Sequence, residues 1–189
     1  MKTLSLAGLD AQQVGQALKP ALDFAVTGGV SIKQSSEALV AIGTAYGYQA
    51  GEFGLVADAV AKAAAVSMSS VSGMMESFKA SSVVAQAYGV TLKDSATSLA
   101  MLANIGIRNS AAGTAMRQMY SELSGATNST RVAMQRLGVS VVDQGGKMRP
   151  VIDIMLDLSK ALDKYTGKAR VAAIQALSNE RGSKSIVAD

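Results

Sequence analysis

Asp153 and Asp157 stand four residues apart, and on a helix that spacing brings two carboxylates onto one face. Such a pair does acid–base work when burial splits the two pKa values. Lys160 and Lys164 continue the same face, so ordinary surface ion pairs, each worth about a few tenths of a kcal/mol, account for it better. Gly145-Gly146-Lys147 faintly resembles a phosphate loop, but the leading Gly and a hydroxyl residue after the Lys are missing. None of the serines sits in a Gly-x-Ser-x-Gly elbow. His and Cys are both absent, which removes the commonest general base, the commonest metal ligand and every thiolate nucleophile. No catalytic residue, no cofactor and no metal ligand is therefore assigned, and no small-molecule substrate is expected.

What remains is the chemistry of surfaces. The net charge of +4 is unevenly placed. Residues 1–100 hold six Lys/Arg against seven Asp/Glu, a balance of −1, and residues 101–189 hold twelve against seven, a balance of +5. Arg108, Arg117, Arg131, Arg136, Lys147 and Arg149 are candidate interaction residues for a nucleic-acid backbone or another acidic surface. The plainer reading of the same charges is a solvated helix face. Aromatic residues do not interleave with them, so a stacking platform for single strands is not indicated.

The elements carrying these residues are helices built from small side chains. Apolar residues make up 49% of the chain but aromatics only 4%, so a real core forms from Ala, Val, Leu and Met and helices can approach closely. Most of the ten Met are expected to fill gaps in that core. Uncharged stretches such as Ala38–Gly51 and Ala63–Met75 fall short of the roughly 20 residues a spanning helix needs, and a soluble chain is expected.

Helix signals then recur along the sequence. Asp10 caps a short helix to about Leu18, Pro20 suits the first turn of a second, and Gly28-Gly29 ends it. Ser31 with Gln34 forms a capping box ahead of a helix with Leu39, Ile42 and Tyr46 on one face. Gly43, Gly47, Gly51 and Gly54 mark a close helix crossing or a turn. Helices over about 55–66 and 70–87 follow, and Gly89 stops the latter. Gly29-Val30-Ser31-Ile32-Lys33 then returns as Gly89-Val90-Thr91-Leu92-Lys93. Across 29–42 and 89–102 five of fourteen positions are identical, which suggests a duplicated helical unit offset by 60 residues. Ser110 caps a helix to about Leu123 that Ser124-Gly125 breaks, and another from Ser129 or Thr130 closes at Gly138. Val139–Asp143, Gln144-Gly145-Gly146 and Lys147–Pro150 read as a small β-hairpin. Pro150 launches a helix to about Leu162, Thr166 caps a last one to about Ser178, and the tail 179–189 is expected to fray. The expected fold is all-α: an array of short packed helices or helical hairpins with one small β-hairpin near 139–149. Residues 1–126 form a helical region with two duplicated units, and 127–189 hold a helix, the hairpin, two helices and the tail.

In this order and spacing, the words resemble the core region of phage tail tape measure (minor tail) proteins. Tyr88-Gly89-Val90-Thr91-Leu92-Lys93-Asp94 is similar to the family's Gly-Val-Ser-Leu-Glu-Glu helix junction. Asn104-Ile105-Gly106-Ile107 follows it. Ser110-Ala111-Ala112-Gly113-Thr114-Ala115-Met116-Arg117 resembles a Ser-x-Ala-Gly-Thr-Ala-Leu-Arg signature. Leu137-Gly138-Val139 leads to Asp143-x-Gly145-Gly146-Lys147-Met148-Arg149-Pro150. The matched positions Gly89, Asp94, Gly106, Ser110, Gly113, Thr114, Arg117, Gly138, Gly145, Gly146 and Pro150 would be structural. The 43–54 segment is richer in Gly than the family pattern.

The resemblance implies a structural protein, not an enzyme, in the lumen of the virion tail tube and in the bacterial host cytoplasm during assembly. It implies tail assembly, tail length determination and genome ejection as roles. Other copies of the chain, the tail tube protein and the tail assembly chaperone are the partners implied, with DNA or the host envelope as further ones. At about 1.5 Å per helical residue, 189 residues cannot measure a long tail, so a fragment or truncated prophage product holding the core domain is expected. Two other readings of the same composition are a membrane-active module assisting DNA delivery and a generic helical protein-interaction domain.

Overall fold

A computed structural model describes residues 9–124 and 128–178, leaving aside the side chains of 128–131 and 175–178. The fold is all-α. Its helices are α1 (Ala11–Gly28), α2 (Ile32–Ala45), α3 (Phe53–Ala65), α4 (Val71–Ala87), α5 (Leu92–Asn104), α6 (Asn109–Leu123), α7 (Asn128–Leu137), α8 (Val151–Leu162) and α9 (Gly167–Ser178). A 3-10 turn at Ala50–Glu52 leads into α3. The chain forms two compact units. The first takes the residues up to Ala87 and Thr91–Arg117, the second Tyr88–Val90 and the chain from Gln118 on.

Local chemistry sets the helix starts in the first unit. The Asp10 carboxylate accepts from Gln13 N at 2.8 Å while the Gln13 side chain accepts from Asp10 N at 2.9 Å, a reciprocal capping box. Ser31 and Gln34 repeat it. At Thr91 the hydroxyl accepts from Asp94 N at 3.1 Å. Gly29 and Gly89 both hold left-handed backbone, φ 60° and 74°, which only Gly adopts without steric cost. The pair α1–α2 and the pair α4–α5 start at residues 11 and 32, then 71 and 92, and the same Gly stop and hydroxyl cap join each pair.

One expectation fails here. Pro20 does not open a second helix; it lies inside the single helix Ala11–Gly28. An interior Pro forfeits one backbone bond and costs roughly 3 kcal/mol. The apolar stripe Val14, Ala17, Ala21, Phe24 and Ala25 runs unbroken past it into the core. Burial of Val14 and Phe24 alone returns about 1.5–3 kcal/mol each, and Gln16, whose carbonyl loses its partner, lies on the exposed side.

In the first unit α1 packs on α2 and α3, α4 packs on α2, α3 and α5, and α3 packs on α5. Leu39, Ile42, Phe53, Val56, Val60, Met74, Phe78, Leu99 and Met116 are fully buried. The glycine-rich stretch gives both a close approach and a turn: a Cβ at Gly43 would strike the Phe53 ring, and Gly47 turns at φ 77°. Serines share this core. Ser81 and Ser82 turn their hydroxyls onto the Ser77 and Phe78 carbonyls of their own helix, satisfying a polar group that would otherwise be costly to bury.

In the second unit α7 packs on α8 and α9, with Met134, Val151, Ile154, Leu158 and Ala161 buried. The expected β-hairpin reduces to a single antiparallel bridge, Val142 with Met148. No strand occurs among the described residues. Both flanks stop the ladder. Val139 N is spent on the Met134 carbonyl at the end of α7, and Pro150, which has no N–H to donate, starts α8. The region around Gly125 and the tail 179–189 lie outside the described residues.

Candidate functional site

The basic residues divide between the units. Arg108 and Arg117 are exposed in the first. The Arg108 Nε donates to the Ala103 carbonyl at 3.5 Å, near the end of α5, where a cation suits the helix dipole. In the second unit Arg136 stands exposed in the last turn of α7 and Lys147 on the turn before α8. Arg131's side chain lies outside the described residues. Arg149 is not a free cation. Its guanidinium donates to Ser140 O at 2.8 Å and to the Asp157 carboxylate at 2.7 Å, which clamps the 139–149 segment onto α8.

That clamp corrects the reading of the carboxylates. Asp157 pairs with Arg149, not with Lys160 or Lys164, and Asp163 pairs with Arg170 at 3.3 Å. Among the described residues no group of acids could hold a metal ion, and no helix is long and apolar enough to cross a membrane.

The motif residues hold the backbone. Asp94 donates its backbone N–H to the Thr91 hydroxyl that caps α5 and accepts that hydroxyl's proton on its carboxylate, Gly106 turns the chain at φ 92° and Gly138 ends α7 at φ 68°. The Asp143 carboxylate accepts from Gly145 N and Lys147 N at 2.8 and 3.0 Å, tying the loop that Gly146 turns at φ 76°. Pro150 precedes α8 and its carbonyl accepts from Ile154 N. Gly113 is buried in α6 and Thr114 is half-buried beside it. Ser110 does not cap α6. The helix begins at Asn109, the Arg108 carbonyl accepts from Ala112 N at 3.3 Å, and the Ser77 hydroxyl donates to Asn109 O at 2.7 Å. That bond ties the first residue of α6 to α4, and Ser110 lies inside the helix, one residue past its start.

The first unit also carries a feature that residue types do not announce: an open groove of about 510 Å³ between α3 and α5. Ala59 and Ala63 face Ala96 and Ala100 along its floor, and Leu55, Val66 and Met101 line it further. Leu55, Val66 and Met101 are 56%, 63% and 52% exposed, so these are apolar surfaces in water. Met74, Met75, Met116, Met134 and Met148 are buried, in keeping with Met as core filler, whereas Met68, Met101 and Met155 are exposed. No spacing rule finds such a groove, because its walls come from helices that start 39 residues apart in sequence.

Comparison with known proteins places the chain. The model of the family described as phage-related minor tail protein matches residues 1–178. The tape measure protein of Pneumococcus phage Dp-1 is 34% identical over 170 residues, 90% of this chain and 15% of the relative. The probable tape measure protein of Escherichia phage P2 is 22% identical over 161 residues, 85% of this chain and 20% of the relative. The chain thus spans one fifth or less of the length of these two relatives. No solved structure matches it. With helix junctions, glycine stops and the Asp143 turn in the order that the family resemblance implied, the chain belongs to the phage-related minor tail (tape measure) protein family.

Proposed function

We propose that the chain is the helical core domain of a tail tape measure protein, a structural part of the virion tail that acts in tail assembly, length determination and genome ejection, without enzymatic activity. The observation that carries this reading is the family match over residues 1–178, which takes in both compact units. Its physical content agrees with a packing role. Close helix contacts at small residues hold each unit together, and the longest helix among the described residues, 18 residues, spans about 27 Å, so a length-setting segment belongs to another part of a longer protein.

The partners under this reading are other copies of the chain, the tail tube protein and the tail assembly chaperone, with DNA or the host envelope met during ejection. Exposed Arg117, Arg136 and Lys147 are the contact residues for acidic surfaces. The duplicated helix pair belongs to the same reading, as two copies of one packing unit. In the phage or prophage encoding this chain, in-frame deletion of these residues is expected to leave heads without tails in electron micrographs. Tails of normal number and length in that deletion would overturn the proposal. Reversing Arg117, Arg136 and Lys147 to Glu tests the charge role separately, with reduced tail yield as the expected result.

A further inference from the structure

The groove between α3 and α5 has the shape and charge of a helix receptor. Asn104 ties the C-terminal ends of its walls together: its carbonyl oxygen accepts from Met68 N at 2.8 Å, and its amide donates to Val66 O at 3.4 Å. With Asn104 level with Val66, Lys93 lies level with Leu55. From Leu55 to Val66 the groove runs about 16 Å, three helical turns. Alanines on its floor let another helix approach closely, since interaxial distance is set by the side chains at the contact.

Both walls are helices whose backbone groups are already paired, so an added strand has nothing to bond, and the surface offers side chains alone. Among the thirteen lining residues are Lys62 and Lys93 and no carboxylate. Asp58 and Asp94 are outside the lining, and Asp94 is engaged by Thr91. Lys62 stands about 10 Å farther along the groove than Lys93, two turns of a helix. Their stems extend the apolar walls while the ammonium groups remain in water.

From this geometry we infer that the groove docks an amphipathic α-helix of another protein, one with apolar residues at i, i+3, i+4 and i+7 edged by two carboxylates, one on each side of that stripe and about two turns apart. The inference rests on the first unit alone and stands apart from the tail role.

The test uses the whole 189-residue chain and two fluorescein-labelled helical peptides of Leu and Ala, one with a Glu on each edge of the Leu stripe, about six residues apart, the other with Lys in their place. By fluorescence anisotropy the Glu peptide should bind at least tenfold more tightly. Lys62→Glu combined with Lys93→Glu should invert that order, and Leu55→Glu should weaken both peptides at least tenfold, with helicity by circular dichroism unchanged. Equal binding of the two peptides, an order that survives charge reversal, or no saturable binding at millimolar peptide overturns the proposal. So does sedimentation showing self-association that Leu55→Glu abolishes, which would give the groove to a second copy.

Discussion

Gly113 of α6 rests against the Ser77 carbonyl of α4, so closely that a Cβ at Gly113 would overlap both that oxygen and the Ala80 methyl. Replacing Gly by Ala inside a helix ordinarily stabilises by about 0.5–1 kcal/mol. Here the obstacle is backbone, which cannot rotate aside. Gly113→Ala should therefore destabilise by about 1–3 kcal/mol, whereas Gly15→Ala, which meets nothing within 4 Å, should stabilise by about 0.5–1 kcal/mol. Urea denaturation of both variants checks the opposite signs. A gain in stability from Gly113→Ala would mean that α6 does not pack this closely on α4.

The Arg149–Asp157 pair joins a loop to a helix, with side chains 25% and 39% exposed. Partial exposure and solvent screening limit its contribution to about 0.5–1 kcal/mol. The forked guanidinium also holds Ser140 O, which a Lys cannot reproduce alongside the carboxylate. Arg149→Lys should then lose much of what Arg149→Ala loses. A double-mutant cycle with Asp157→Asn should return a coupling of about 0.5–1 kcal/mol that shrinks in high salt. Zero coupling at low salt would remove the clamp as a stabilising element.

Those two contacts also mark how far the sequence could be read. Caps at Asp10, Ser31 and Thr91 and stops at Gly29, Gly89 and Gly138 depend on neighbours three or four residues away, and they were legible. Pro20 was misread because its local preference for a first turn is weaker than the burial of Val14 and Phe24 on either side of it. The 139–149 segment alternates like a hairpin, yet the end of α7 and Pro150 leave room for one bridge only. The first residue of α6 is held by Ser77, 32 residues away, a contact that no local pattern shows. Of the candidate site, the basic residues were visible as types, but which are engaged was not: Arg149 finds Asp157 across a turn that spacing cannot measure. The groove between α3 and α5 was invisible for the same reason.

Burial, opposed only in part by hydrogen bonds with Ser95 and Ser82, pushes the Tyr46 phenol up to about 12; its hydroxyl donates to Ser95 Oγ at 2.6 Å. The unfolded chain releases this proton near pH 10, so between about pH 10 and 12 the folded state holds more protons than the unfolded one. The contribution of Tyr46 is thus fully present below pH 10 and is lost as pH rises through the folded value, on the order of 2 kcal/mol in all. Absorbance titration at 295 nm should show a late tyrosine step near pH 12 that Tyr46→Phe removes. The same variant should flatten the fall in stability above pH 10. A titration curve unchanged by Tyr46→Phe would contradict the burial of this hydroxyl.

Two buried serines, one on α2 and one on α5, should respond in opposite ways to the same substitution. Ser35 on α2 is fully buried and its hydroxyl donates to the Ala21 carbonyl of α1 at 2.6 Å, a bond between helices. Ser98 on α5 is equally enclosed at 5% exposure, but its oxygen finds no partner among the described residues. A satisfied buried hydrogen bond contributes about 0.5–1.5 kcal/mol, while an unsatisfied polar group costs about 1–3 kcal/mol. Ser and Ala differ by one oxygen, so the cavity term is small and hydrogen bonding decides the sign. Ser35→Ala should lower stability by about 1 kcal/mol and Ser98→Ala should raise it by at least as much. With a shift of roughly 2–4 °C per kcal/mol in a chain of this size, thermal melts of the two variants should fall on either side of the wild type. Loss of stability in Ser98→Ala would show that this hydroxyl has a partner in solution, a trapped water being the simplest, and the core around α5 would then be wetter than its alanines suggest.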